Sequence, residues 1–284
     1  MKLAIEIEGE LIESWPAFLQ LAATAFGGKW YFRGALAHWR LKTSIERAAE
    51  DWSIPFSKLP GIERRVIGEF KRTYPVELKA TAPSDADYLA WLALMQHHGA
   101  PTRLLDWTYS PFVAVYFALE TLLSDSEPNH QAAVWAMSAQ LLQGVPDLFP
   151  RELNSDVKEF GRTRDGILFR RLFLELNPPV RLVGAVSPFA LNQRLVIQQG
   201  VFLCPGDVSI SFEENLSALL THTDSGWFRK FLFPRSVLRE ALDSLFRMNM
   251  HPASLFPGLD GYARRFRTRL TFFADGDLYE ETVW

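Results

Sequence analysis

The sequence predicts an α+β fold, and three observations lead to that class. Apolar residues recur at helical spacing in several stretches, most clearly at Val237, Leu238, Ala241, Leu242, Leu245 and Phe246. Short aromatic or apolar runs, such as Lys29–Gly34, Ala132–Met137 and Trp227–Phe233, read as strands. The two kinds mix without the strict strand–helix alternation of a doubly wound sheet. The expectation is one large domain of short mixed or antiparallel strands flanked by helices. Its core spans about residues 14–268, with 1–13 and 269–284 peripheral. No repeat or Gly/Ser-rich linker divides the chain.

Taken in order, residues 3–7 alternate like a short strand, and Ser14-Trp15-Pro16 starts a helix with proline in its first turn. Phe18, Leu19 and Ala22 supply its stripe, and Gly27-Gly28 ends it. The strand at Lys29–Gly34 closes on Arg33. Residues 44–60 read as helical but irregular, and Glu63–Arg72 as an amphipathic helix with Val66, Ile67 and Phe70 inward. Ser84 to Asp87 has capping-box spacing. Tyr88, Trp91, Leu92 and Met95 then define a buried helix that stops at Gly99. Ser110-Pro111 starts another, with Phe112, Val115, Tyr116, Leu119 and Leu123 on one face. Residues 144–166, rich in Pro, Asp, Asn and Arg, read as an irregular mobile loop. Leu172–Leu176 and Val180–Val186 read as strands, Pro188–Ile197 as helical at its start, Gln198–Leu203 as a turn into a strand, and the segment after Pro257 as a short helix.

Composition narrows the function. A net charge of -3 argues against a general nucleic-acid binder, although a local basic groove remains compatible with it. The single cysteine, Cys204, excludes an internal disulfide and fits a reducing compartment. The acidic, alternating N-terminus is unlike a signal peptide, and no apolar run approaches the roughly 18 residues of a membrane helix. A cytoplasmic protein without a membrane partner is expected.

Chemistry concentrates between Gln96 and Ser110, where two histidines, an arginine, an aspartate, two threonines and a serine fall between apolar helices. His97 and His98 close a helix, where imidazolium meets free carbonyls, so a structural account competes with a functional one. Adjacent histidines diverge from a helix end, and no His-Glu-x-x-His or cysteine partner is present, so no metal site is expected. Arg103 and Asp106 suit a local ion pair, or an arginine freed to grip phosphate. Ser110 is a helix N-cap in a position that also favours anions. P-loop, dinucleotide-fold and serine-elbow signatures are missing. Gln198 and Gln199 satisfy a strand edge or bond to a ligand hydroxyl.

Phe32-Arg33-Gly34, then Gln96-His-His-Gly-Ala-Pro-Thr-Arg-Leu-Leu-Asp-Trp-Thr108 with Pro111, Ala114 and Phe117, resemble the FRG domain family. Asn192-x-Arg194, Gln198-Gln199-Gly200-x-Phe202 and Leu255-Phe256-Pro257-x-Leu259-Asp260-Gly261 continue the likeness in order, from about Trp30 to Tyr262. Proteins with this domain are often bacterial or phage-related.

More distantly, the order of motifs is similar to that of ADP-ribosyltransferases, a likeness with implications for fold, substrate and site. By that likeness the fold would be ADP-ribosyltransferase-like, and NAD would be the substrate. Arg33 matches the early strand residue that binds NAD, Thr108-x-Ser110 the element framing the nicotinamide, and Gln198 or Gln199 the residue touching the ribose. That last position is usually Glu. The likeness makes Arg33, Asp106, Gln198 and Gln199 the expected catalytic set, with Asp106 or a histidine as base for the acceptor. Arg33, His97, His98, Thr102, Arg103, Thr108 and Ser110 are the expected NAD-binding set. The implied function is an NAD-dependent ADP-ribosyltransferase acting as a toxin or anti-phage defence effector on nucleic acid or protein, with a neutralising or fused partner protein. The alternative is a nucleotide-binding sensor without turnover. A nuclease using Asp106 and a divalent metal is weaker, because no second carboxylate stands near it in sequence.

Overall fold

The computed structural model describes residues 7–77, 82–189, 193–220 and 225–274. Strands whose side chains alternate between two largely covered faces build one seven-stranded sheet from β1 (Glu10–Leu11), β2 (Trp30–Leu36), β3 (Leu105–Thr108), β4 (Ala132–Ser138), β5 (Val183–Val186), β6 (Gly200–Pro205) and β7 (Phe228–Phe233). The strand order is β1-β7-β4-β2-β3-β6-β5, with β1 parallel to β7 and every other pairing antiparallel. Helices cover the sheet, so the molecule is a mixed α+β fold, as the periodicities predict.

The helices are α1 (Trp15–Thr24), α2 (Ser44–Asp51), α3 (Leu59–Glu77), α4 (Tyr88–His97), α5 (Pro111–Ser124), α6 (Val145–Leu148), α7 (Asn154–Thr163), α8 (Gly166–Phe169), α9 (Gln193–Ile197), α10 (Phe212–Leu220), α11 (Arg235–Arg247), α12 (Pro252–Leu255) and α13 (Leu259–Ala274). No described helix is long and apolar enough to cross a membrane.

Strand alternation divides the core. Phe32, Leu36, Val134, Ala136, Phe231 and Phe233 meet Phe18 of α1, Ala114 and Ala118 of α5, and Val237 and Ala241 of α11. Farther along the same face, Phe202, Cys204 and Val186 meet Ile67 of α3, Leu89 and Leu92 of α4, and Val157 of α7. The reverse face buries Tyr31, Trp135, Leu105, Trp107 and Leu203 under Phe212 and Leu216 of α10. Each large side chain so buried stabilises by about 1.5–3 kcal/mol. Two separate helical layers therefore share one face. Their boundary lies above β2 and β3.

That boundary is set by close backbone contact on one side. A Cβ on Gly34 would stand 1.9 Å from the Ala114 carbonyl oxygen and 2.6 Å from the Ala118 nitrogen. Only glycine lets α5 lie this close to β2. Ser110 starts α5 as expected, its hydroxyl accepting from the Val113 amide at 3.3 Å.

Several local expectations are corrected. Asp87, not Ser84, caps α4, accepting from the Ala90 amide at 3.0 Å; Ser84 sits in the preceding turn, its carbonyl taking the Trp91 indole. Residues 144–166 are largely helical, because Phe149, Leu153, Val157 and Phe160 form a stripe that enters the core. Polar composition hid that spacing. Leu172–Leu176 is no strand: residues Arg170–Leu174 continue α8 as a wide π-helical turn that buries Phe169, Leu172 and Phe173, three and four apart. The strand expected from Val180 begins only at Val183. Of residues 188–197, only Gln193–Ile197 is helical among those described; 190–192 lie outside the described residues. The helix after Pro257 is long, Leu259–Ala274. The strand expected at residues 3–7 falls mostly outside the described residues, and the first strand is Glu10–Leu11.

Candidate functional site

A cleft opens where the two helical layers part. Its larger lobe, about 240 Å³, is lined by β2 (Phe32, Arg33, Gly34), β3 (Asp106, Trp107, Thr108), α5 (Ala114, Phe117, Thr121), Trp39, Arg194 and Gln198. A smaller lobe of about 70 Å³ adds Ala93, Gln96 and His97 of α4, with Leu195 and Phe202. Asp106, Arg194 and Gln198 belong to both lobes. A carboxylate, a guanidinium and an amide thus stand at the joint of a two-part cavity.

Arg33 and Asp106 are brought together by an interrupted strand pairing. β2 and β3 pair only at Phe32 and Thr108. Beyond that point the Arg33 guanidinium reaches across and donates to the Asp106 backbone carbonyl at 2.5 Å. Crowding by protein pulls the Arg33 pKa down to about 10; the Asp106 charge opposes that shift and Arg47 adds to it. Arg33 still carries its charge near neutral pH.

Asp106 is held from the side by Gln96, whose Nε2 donates to Asp106 Oδ2 at 2.8 Å. Gln96 is oriented in turn by hydroxyls: Thr102 donates to its Oε1 at 2.6 Å and Ser44 at 3.1 Å. Two donors on the oxygen leave the amide nitrogen for the carboxylate. Thr102 is fully buried and acts through Gln96 rather than lining the cleft.

Arg194 and Gln198 lie one helical turn apart at the end of α9, and so face the cleft together. The Arg194 guanidinium rests over the Phe256 ring, 5.0 Å from its centroid, and no carboxylate among the described residues pairs with it. Gln198 Nε2 donates to the Leu255 carbonyl at 3.0 Å. The Leu255-Phe256 stretch therefore supports the cleft from behind. A Cβ on Gly261 would stand 1.9 Å from the Phe256 carbonyl oxygen, so α13 seats directly on that support.

The remaining expected residues separate into liners and scaffolding. Thr108 lines the larger lobe, but its hydroxyl is engaged, donating to the Gln198 carbonyl at 2.7 Å and accepting from the Ser110 amide at 3.0 Å. Ser110 is spent on the α5 cap and does not line either lobe. Gln199 is an exposed turn residue with a φ of 48°, and its carbonyl accepts from the Tyr109 amide. It does not line the cleft.

His97 lines the smaller lobe, whereas the neighbouring His98 does not. The His97 imidazole is shifted toward its neutral form, first by desolvation and then by His98 and Arg194. Arg103 points elsewhere. Its guanidinium is 2% exposed and grips both oxygens of buried Glu63, with further bonds to the Phe173 and Pro205 carbonyls. Neither a local pair with Asp106 nor a phosphate contact is built here.

Sequence reasoning missed Trp39, which is half exposed at the rim of the larger lobe, and gave Arg194 no role. The four-residue step from Arg194 to Gln198 was the available signal for Arg194. Trp39 carried none. Among the described residues, no group of three or more His, Cys, Asp or Glu side chains gathers to hold a metal ion.

Comparison with protein families matches residues 28–127 to the FRG domain. Residues 28–127 are thus similar to an FRG domain. The FRG segment supplies β2, α4, β3 and α5, and so the floor and both walls of the cleft. Arg194 and Gln198, with their supports on Leu255 and Phe256, come from outside that segment and complete it. No curated protein and no solved structure matches the chain.

Proposed function

We propose that the cleft binds NAD and cleaves its nicotinamide–ribose bond, as an NAD-dependent ADP-ribosyltransferase. The observation that carries this reading is Asp106, the sole carboxylate among the described residues lining either lobe, placed with two guanidiniums that form no ion pair with a described carboxylate. Arg33 and Arg194 suit the diphosphate, whose charge and geometry match their planar donors. Trp39 offers an exposed ring for stacking on a base or on nicotinamide. Bond cleavage builds positive charge on the ribose, as in glycoside hydrolysis. Asp106, fixed by Gln96, provides the opposing charge, a pre-oriented form of electrostatic stabilisation. Gln198 keeps its carbonyl oxygen for a ribose hydroxyl while its nitrogen is tied to Leu255. In this reading the catalytic weight moves from the two glutamines to Asp106. The acceptor, protein or nucleic acid, and a place in toxicity or defence belong to the same proposal.

Nicotinamide release from labelled NAD tests it. Asp106→Asn is expected to lower release about a hundredfold, the scale of a lost electrostatic stabiliser, with binding largely kept. Full activity in that variant, or NAD that neither binds nor reacts, overturns the reading. One observation favours a second reading, a nucleotide sensor without turnover: Gln198 stands where the transferase likeness places an acid, and its amide is anchored. Tight NAD binding without any release selects it.

A further inference from the structure

The smaller lobe has the make-up of an acceptor pocket. Building on the NAD reading, we propose that it receives a small neutral hydroxyl side chain, Ser or Thr of a protein, and that His97 is the general base for its attack. The lobe adjoins the larger one at Asp106, Arg194 and Gln198, the side chains common to both, which places a group seated in it beside the ribose in this reading. It is much the smaller of the two, about 70 Å³ against about 240 Å³. A hydroxymethyl or hydroxyethyl group fits such a space. Its lining is neutral or apolar at Ala93, Gln96, Leu195, Gln198 and Phe202, with Arg194 as its fixed cation. A lysine or arginine acceptor would bring a further cation beside Arg194, with Asp106 and the NAD diphosphate to share between them. That carboxylate is already shared with Gln96 and the Arg33 field.

His97 is the basic group of this lobe. Desolvation, then His98 and the positive charge of Arg194, favour its neutral imidazole, the form that accepts a proton. The step balances simply. The bond from ribose C1′ to the nicotinamide nitrogen breaks, and its electron pair leaves with neutral nicotinamide. The acceptor oxygen forms the new bond to C1′, its proton passes to His97, and the imidazolium releases it to water. His98, one residue on and outside the lobe, provides a built-in comparison.

The test incubates the full chain with NAD and one of three probes: N-acetylserinamide, agmatine or a short single-stranded RNA. Nicotinamide release and adduct mass are followed in parallel. The serine probe is expected to yield the adduct, agmatine and RNA far less. His97→Ala should lower adduct formation about a hundredfold, the scale of lost general-base catalysis, while nicotinamide release by hydrolysis continues. His98→Ala, which alters only the surroundings of the His97 ring, should lower adduct formation far less than His97→Ala and leave hydrolytic release unchanged. Nicotinamide release without a serine adduct, preference for agmatine or RNA, or an adduct yield indifferent to His97→Ala overturns the acceptor proposal alone. No release in any arm overturns it together with the NAD reading.

Discussion

Replacing Arg103 by alanine should unfold the protein at a much lower temperature while leaving the cleft chemistry formally intact. Arg103 and Glu63 are almost completely buried, at 2% exposure each, and bond through a two-pronged contact. The remaining donors satisfy the Phe173 and Pro205 carbonyls, which tie the turn after α8 to the end of β6. Alanine would leave Glu63 charged, buried and unpaired, a cost of about 3–5 kcal/mol. For a chain of this size each kcal/mol moves the thermal midpoint by about 2–4 °C, so the loss is of order 10 °C. Differential scanning of Arg103→Ala, Glu63→Ala and the double variant Arg103→Met/Glu63→Leu is the assay. The double variant removes both charges and keeps volume, so it should melt near the wild type although each single variant does not. Equal melting of Arg103→Ala and wild type would refute the structural assignment. So would a double variant that keeps its stability but loses NAD binding outright.

Two further outcomes rest on other contacts. Gln96→Ala strips the donor from Asp106 Oδ2 and the acceptor from Thr102; the thermal midpoint should fall by only a few degrees, since a half-buried bond of this kind is worth about 1 kcal/mol. Nicotinamide release should fall about tenfold, the equivalent of about 1.4 kcal/mol, and kinetics in which only KM rises would contradict a role in orienting Asp106. Cys204 is fully buried, and desolvation pushes its thiol from an ordinary value of 9.0 up to about 12. Its contribution to stability is present below about pH 9 and is lost as pH rises from there toward 12. Cys204→Ala should flatten that part of the pH–stability curve, and native wild type at pH 8 should resist thiol alkylation until it is unfolded.

How legible the molecule is from its residues varies by element for physical reasons. β2, β4, β7 and α5 stand out as compact apolar or aromatic runs, and α11 by its clear apolar stripe. α7 does not, because its polar face dominates composition, and the π-helical turn after α8 does not, because its short apolar cluster at Leu172 and Phe173 reads locally as a strand. Arg33 and Gln198, distant in sequence, do line one cleft, which the order of motifs anticipated. The role of Arg103 was not legible: its partner Glu63 lies in α3, and nothing local marks that glutamate among the many acids of the chain. Gln199 and Gln198 look alike as letters. The backbone separates them, because the turn that exposes Gln199 directs Gln198 inward.

Arg33 shows why the cleft lies at this seam. Continuing the antiparallel register from Phe32 and Thr108 would bring Gly34 opposite Asp106. Instead α5 sits on Gly34 and the Arg33 guanidinium supplies the donor that the Asp106 carbonyl would otherwise have taken from a strand. One residue thus holds the sheet open and presents charge to whatever enters. The two duties separate by substitution. Arg33→Ala removes both, leaving a carbonyl without its donor beside the carboxylate that the proposed chemistry needs. Arg33→Lys keeps a charged donor within reach of that carbonyl but loses the planar fork suited to a diphosphate. Lysine should therefore restore the thermal midpoint lost in the alanine variant while KM for NAD stays raised about tenfold or more, the effect of about 1.4 kcal/mol of lost binding. If the lysine and alanine variants melt together, Arg33 does not brace the seam. If lysine recovers KM as well, the fork is not what the ligand reads, and a single positive charge in the seam suffices.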